Sequence, residues 1–120
     1  MRIFNEVEAI VLVHDGGRIL RVSRGAIREF RAQSAEELKS KGFAELVATE
    51  SWEVSLDRMI RMLGNSPPNQ MPEIEIVFRR LDGTTFRARV NTLRAMWLEE
   101  LIWRRRIYRT VLTVISDGAD

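Results

Sequence analysis

The chain of 120 residues holds one histidine, His14, no cysteine, and seventeen Asp and Glu residues. Without cysteine there is no thiolate nucleophile, no disulfide, no zinc–thiolate centre and no cysteine-linked chromophore. A metal site would have to come mainly from carboxylates, and no Asp/Glu cluster has a ligand-like spacing. Haem would find only His14 as an imidazole ligand. A general base needs His, Asp or Glu held in a pocket. The candidates are His14, which sits beside a turn and reads as solvent-facing, and Asp57 and Glu75, which lie on polar faces. The stretch "VHDGGRILRVS" raises one more chemistry, because glycines can cradle phosphate. A phosphate loop needs spaced glycines followed by Lys and Ser/Thr and then a helix. Here Asp15-Gly16-Gly17 is followed by a strand pattern, so the glycines read as a hairpin turn.

Composition narrows the classes further. Hydrophobic residues make up 45% and charged residues 30%, the balance of an ordinary globular domain. The length fits one domain with one core, residues 1–120. The formal charge is only +2. A dedicated nucleic-acid surface would show a broad basic footprint, whereas here Arg104 to Arg106 with Arg109 form a local cluster. No apolar run approaches the ~20 residues of a membrane-spanning helix. The start, "MRIFNEVEAI", carries acidic residues where a secretory signal would be apolar. No direct nucleic-acid or membrane partner is expected, and the expected location is cytoplasmic.

The elements that must position these residues follow from periodicity. "EAIVLVH" (8–14) is apolar at nearly every position and reads as a central strand; residues 18–23 form the second strand. "GAIREFRA" puts Ile27 and Phe30 on one side of a short helix. "SAEEL" reads as a capping box, with Ser34 accepting from the Glu37 amide and Glu37 reaching back to the Ser34 amide. Phe43, Leu46 and Val47 turn inward after Gly42. In "SWEVSLDRMIRML" (51–63), Trp52, Leu56, Met59, Ile60 and Leu63 fall at helical spacing and predict the buried face. Gly64 and three prolines end that helix. Residues 73–81 and 84–93 alternate as strands around Asp82-Gly83; Ile74, Ile76 and Phe78 share one face of the first, and Phe86, Ala88 and Val90 point inward from the second. Residues 106–116 form a last strand. Strands flanking a helical middle make an α+β fold with an antiparallel sheet.

That order and its punctuation resemble the PAS (Per-Arnt-Sim) domain family. The matching stretches are "DGGRILRVS", "SAEEL…FAELV", the helix 51–63, "FRRLDGTTFRARV" and "VLTVISD", which together cover nearly the whole chain. Ser23 stands where the family commonly has Asn, and Gly118 follows Asp117 where Ile-Thr is usual. The connection "RAMWLEELIWRR" exceeds the usual hairpin. The resemblance implies a five-stranded sheet in spatial order 2-1-5-4-3 with short helices packed on one face. It also implies a sensory and dimerisation module of a longer signalling protein, without an active site of its own. Its partners would be a twin subunit and an adjacent output domain such as a kinase, cyclase or DNA-binding module.

A PAS-type pocket would be lined by Ile27, Phe30, Leu46, Trp52, Leu56, Ile60, Ile76, Phe78, Phe86 and Ala88; the alternative is that these residues simply fill the core. Its polar candidates are Ser23, Asn91, Thr92 and Thr110. Cysteine-linked flavin is excluded by composition. Haem-binding members use a histidine on the main helix, and residues 51–63 have none. A non-covalent flavin stacked on Trp52, or a small apolar ligand, remains open. Val11, Val13, Val111 and Thr113 should leave an apolar strip on the back of the sheet, to be buried against a second copy or a flanking helix. Trp97 and Trp103 form an apolar cluster that either caps the domain's own core or meets a partner. The other functional class is a small α+β enzyme of isomerase or dehydratase type, which would need His14 or a carboxylate pointing into a cavity.

Overall fold

Two Asp-Gly turns set the hairpins. The Asp15 carboxylate accepts from the amides of Gly17 and Arg18 at 3.1 and 2.8 Å, and Gly16 takes φ +101°. Asp82 accepts from the Thr84 amide and hydroxyl at 3.0 and 2.6 Å, and Gly83 takes φ +92°. Both glycines occupy the positive-φ region that side chains avoid.

The structure is a computed structural model that describes residues 8–64, 69–95 and 106–117. Strands β1 (Ile10–His14) and β2 (Ile19–Val22) precede α1 (Arg24–Glu29) and α2 (Ala35–Lys39). Two single 3-10 turns, Phe43–Leu46 and Thr49–Ser51, lead into α3 (Trp52–Met62). Strands β3 (Gln70–Arg79), β4 (Thr85–Arg94) and β5 (Tyr108–Asp117) complete one antiparallel sheet in the order β2-β1-β5-β4-β3. This is the order that the resemblance implied. None of the described helices is long and apolar enough to cross a membrane.

Local capping explains where the short helices start. Ser23 accepts from the Ala26 amide at 3.1 Å and donates to the Ala9 carbonyl at 2.6 Å, tying the start of α1 to β1. Ser34 caps α2 through the Glu37 amide at 3.1 Å. The Glu37 carboxylate reaches back one residue further than the capping-box reading, to the Gln33 amide at 2.7 Å. Gly25 permits the close approach of α1 to the sheet, since a Cβ there would lie 2.0 Å from the Glu8 carbonyl oxygen. Gly25→Ala is therefore expected to destabilise the domain by roughly 1–3 kcal/mol through overpacking. An unchanged urea midpoint would mean that α1 slides away at no cost.

Between helices and sheet lies the main core. Phe30 meets Phe78 and Phe86 edge-on at 5.9 and 5.3 Å, and Phe78 stacks on Phe86 at 5.6 Å. Leu12, Leu38, Leu46, Ile76, Ala88, Val90 and Leu112 close around them.

The phase of α3 differs from the periodicity reading. Trp52, Leu56, Ile60 and Leu63 point outward, at 51, 60, 61 and 47% exposure. Ser55, Arg58 and Met62 point inward, with Met59 half-buried. The rotation, about 100° for a one-residue offset, is set by polar anchors. Ser51 accepts from the Val77 amide at 2.9 Å, the Trp52 indole donates to the Val47 carbonyl at 2.7 Å, and Tyr108 donates to the Met62 carbonyl at 2.5 Å.

The back of the sheet is also partly covered. Val11 and Val13 are buried rather than facing water, because Ala95, Ile107 and Leu20 pack over Val13. Val111 is half-buried and Thr113 exposed. Trp97 and Trp103 lie outside the described residues.

Candidate functional site

The predicted pocket residues separate into two groups. Phe30, Leu46, Phe78, Phe86, Ala88 and Ile76 are brought together in the aromatic core with Ile27 against its margin, and they fill it. Trp52 and Leu56 instead wall an open apolar groove of about 250 Å³ with Ala44, Val47, Ser55 and Met59. Ile60 is exposed and joins neither.

A third cluster, of polar groups, lies between α3 and the middle of the sheet. The β1–β2 register shifts between Val13 and His14, at the end of β1. His14 is buried, where the turn position suggested exposure. Its ring packs 4.5 Å from Phe43 and 6.1 Å from Tyr108. The Gly16 amide donates to Nδ1 at 3.1 Å, so Nδ1 accepts and Nε2 carries the proton. Nε2 donates to Thr110 Oγ1 at 2.7 Å. The Thr110 and Thr92 hydroxyls share a hydrogen bond at 3.0 Å. Thr92 Oγ1 also accepts from Arg58 Nη2 at 3.2 Å.

Arg58 crosses from α3 to the sheet. Nη1 donates to the Pro72 carbonyl, and Nη2 lies 3.4 Å from the Val90 carbonyl. Pro72 is tolerated because β3 is an edge strand, and the register there shifts between Met71 and Ile74. His14, Ser55, Arg58, Thr92 and Thr110 share a cavity of about 20 Å³ with Phe43, Met59, Met62, Ile76 and Val90.

Burial dominates the electrostatics. Desolvation lowers the His14 pKa to about 4, with Asp15 opposing the shift and Arg58 adding to it. The Arg58 pKa is lowered by desolvation and then by the Arg61 charge. At neutral pH the cluster therefore pairs a neutral imidazole with a buried cation.

This arrangement bears on the chemistries raised by the sequence. His14 does border a cavity, but Nδ1 is taken by Gly16 and Nε2 is a donor. It has no lone pair with which to take a proton from a substrate. Asp57 and Glu75 are exposed. Among the described residues, no group of three or more His, Asp or Glu is placed to hold a metal ion. Trp52, the residue expected to stack on a non-covalent flavin, lies at the surface, away from the interior cavity of about 20 Å³.

Of the polar candidates, Thr92 and Thr110 come together, whereas Ser23 caps α1 and Asn91 donates to Glu73 at 3.3 Å. His14, Ser55 and Arg58 were not among the expected pocket residues. The only signal for Ser55 and Arg58 was the alternative phase of the 51–63 helix, which places Ser55, Arg58 and Met62 in one row.

No protein-family model matches the sequence, and no curated protein matches it significantly. Solved structures do match the fold. A PAS domain from Colwellia psychrerythraea superposes with a TM-score of 0.75 at 16% identity, over 96% of this chain and 92% of its own. A PAS domain from a two-component sensor histidine kinase gives 0.71 at 16% identity, over 95% and 91%. The PAS domain, in complex with ethanol, of a LuxR-family transcriptional regulator from Burkholderia thailandensis gives 0.68 at 13% identity, over 95% of each chain.

Proposed function

We propose that this chain, which has the PAS fold, is a sensory module of a signalling protein. In this reading it binds a small molecule between α3 and the sheet. The observation that carries it is the polar cluster of His14, Arg58, Thr92 and Thr110 on a cavity within an otherwise apolar interior. Polar groups converging on an apolar pocket are the usual mark of a ligand site. That one structural neighbour was solved with ethanol, and another comes from a sensor kinase, supports the same reading.

The module is regulatory rather than catalytic. Residues 1–120 are proposed to form a single domain of a longer protein. That protein would be cytoplasmic, would pair as a homodimer, and would pass its signal to an adjacent kinase, cyclase or DNA-binding module. The ligand acts by binding one arrangement of α3 more tightly than another, which shifts their populations. Met59 and Met62 line the cavity; such flexible thioether side chains repack easily when a helix moves.

Native mass spectrometry of the purified protein tests this reading. The expected species is a dimer carrying extra mass that denaturation releases. A bare monomer, unchanged by a metabolite extract, would overturn both the ligand and the dimer.

A further inference from the structure

Among the described residues two arginines are buried, and one of them, Arg80, has counter-ions there. Arg80 is 5% exposed and meets the carboxylates of Glu29 and Asp117. Arg58 is 8% exposed, and among the described residues no carboxylate lies within ion-pair distance of it. Its partners are the Pro72 and Val90 carbonyls and the Thr92 hydroxyl, all neutral. A buried charge held only by neutral groups is costly. The nearby charges do not relieve it, because Arg61 repels the guanidinium and His14 is neutral. Acidic groups of the neighbouring edge are engaged elsewhere: Glu73 accepts from Asn91, and Glu75 pairs with Arg87 at 3.9 Å.

A second, independent feature lies on the same wall. Ser55, also 8% exposed, lines the cavity beside Arg58 and makes no hydrogen bond among the described residues. A guanidinium without a counter-ion and a hydroxyl without a hydrogen bond among the described residues thus line one cavity, and Ser55 also borders the open groove walled by Trp52 and Leu56.

On the reading that this space is a ligand site, we infer that its ligand is a short-chain monocarboxylate whose carboxylate becomes the counter-ion of Arg58. The guanidinium exchanges its carbonyl acceptors for a two-pronged pairing with the carboxylate, the geometry that arginine forms best. Ser55 donates to the same group. The tail of the ligand meets Phe43, Met59, Ile76 and Val90, which are apolar. One cation and one neutral imidazole match a single negative charge; a second carboxylate would face that apolar wall unpaired. The cavity of about 20 Å³ holds one water-sized group as it stands. The ligand therefore enters by displacing Met59 and Met62, which limits it to a few carbons.

The test is titration of the wild-type chain with sodium propionate and sodium butyrate, read by thermal shift and calorimetry. Propionamide and butyramide serve as uncharged isosteres, and sodium chloride matches the ionic strength. Saturable stabilisation by the carboxylates, at least tenfold weaker with the amides and absent with chloride, is expected. Arg58→Gln should weaken carboxylate binding at least tenfold, with Arg58→Lys intermediate. Equal binding of amides and carboxylates, or equal effects of chloride, would overturn the carboxylate assignment and leave the pocket standing. The same holds if Arg58→Gln, folded by circular dichroism, binds as well as wild type. Stabilisation by none of these compounds, with no retained mass in the native spectrum, would overturn both.

Discussion

Replacing Arg80 by methionine is expected to cost about 2–3 kcal/mol of stability, whereas the same change at Arg58 costs less than about 1 kcal/mol. Both side chains are buried and both are cations, so the difference lies in their partners. Arg80 donates from Nε to the Glu29 carbonyl at 2.9 Å and from Nη2 to the Glu29 carboxylate at 2.7 Å and to Asp117. Its Nη1 reaches Thr84 Oγ1 and the Thr85 carbonyl, both at 3.2 Å, and its guanidinium carbon lies 4.8 Å above the Phe86 ring. Removing one member of such a buried network strands the others, which typically costs 3–5 kcal/mol. Asp117 is largely exposed and recovers water, which brings the estimate down to the lower figure. At Arg58 methionine strands no carboxylate and removes a charge from the interior, and such replacements are often neutral or stabilising. Urea denaturation with unchanged slopes measures both. Equal losses would show that the Arg58 hydrogen bonds to Pro72, Val90 and Thr92 are structural, and that the fold needs its charge.

These two arginines also mark what the sequence made legible. The hairpins at Asp15-Gly16 and Asp82-Gly83 were readable because a turn is local: the residue that needs positive φ and the carboxylate that caps it lie within three positions. The strand alternation around Phe78 and Phe86 was readable for the same reason. The phase of α3 was not. Its strongest apolar stripe, Trp52, Leu56, Ile60 and Leu63, competes with a row of Ser55, Arg58 and Met62, and periodicity alone favours the greasier stripe. What chose the other row was a set of anchors far along the chain. Val77 reaches Ser51 across 26 residues, and Tyr108 reaches Met62 across 46. His14 was misplaced for a similar reason, since the hydroxyl that holds it belongs to Thr110, 96 residues away. Val13 looked exposed because Ala95 and Ile107, which end up over it, lie 82 and 94 residues further along the chain. The aromatic core was recognisable as an aromatic set, and the structure packs Phe30, Phe78 and Phe86 together. In the candidate site Thr92 and Thr110 were expected at a pocket, whereas His14 and Arg58 read as surface.

Acidification from pH 6.5 to 4.5 is expected to destabilise the domain by roughly 2–3 kcal/mol, a loss that His14→Gln removes. Burial lowers the His14 pKa to about 4 from an ordinary value of 6.5. Between these values the unfolded chain binds a proton at this position and the folded chain does not, so stability falls as the pH falls. Each pKa unit is worth about 1.4 kcal/mol, and the effect saturates once the folded histidine also protonates. The other resolved shifts act lower on the scale. Glu8, held below its ordinary 4.5 mainly by the hydrogen bond from Arg28, and Asp82, held below 3.8 mainly by Thr84, lose their contributions under those values. His14 therefore dominates the interval from 6.5 to 4.5, with Glu8 beginning to contribute at its lower end. Glutamine keeps a donor for Thr110 but cannot titrate, so the variant should start less stable at pH 7 and then run flat. A wild-type profile equally flat would mean that His14 protonates in the folded state near its ordinary pKa, which its burial between Phe43 and Tyr108 opposes. The groups facing the ring are Asp15, which favours the proton, and Arg58, which opposes it. A monocarboxylate paired with Arg58 would neutralise that opposition and lift the histidine pKa. Adding propionate should then shrink the acid sensitivity of the wild-type protein, so that ligand and proton bind cooperatively through one buried network.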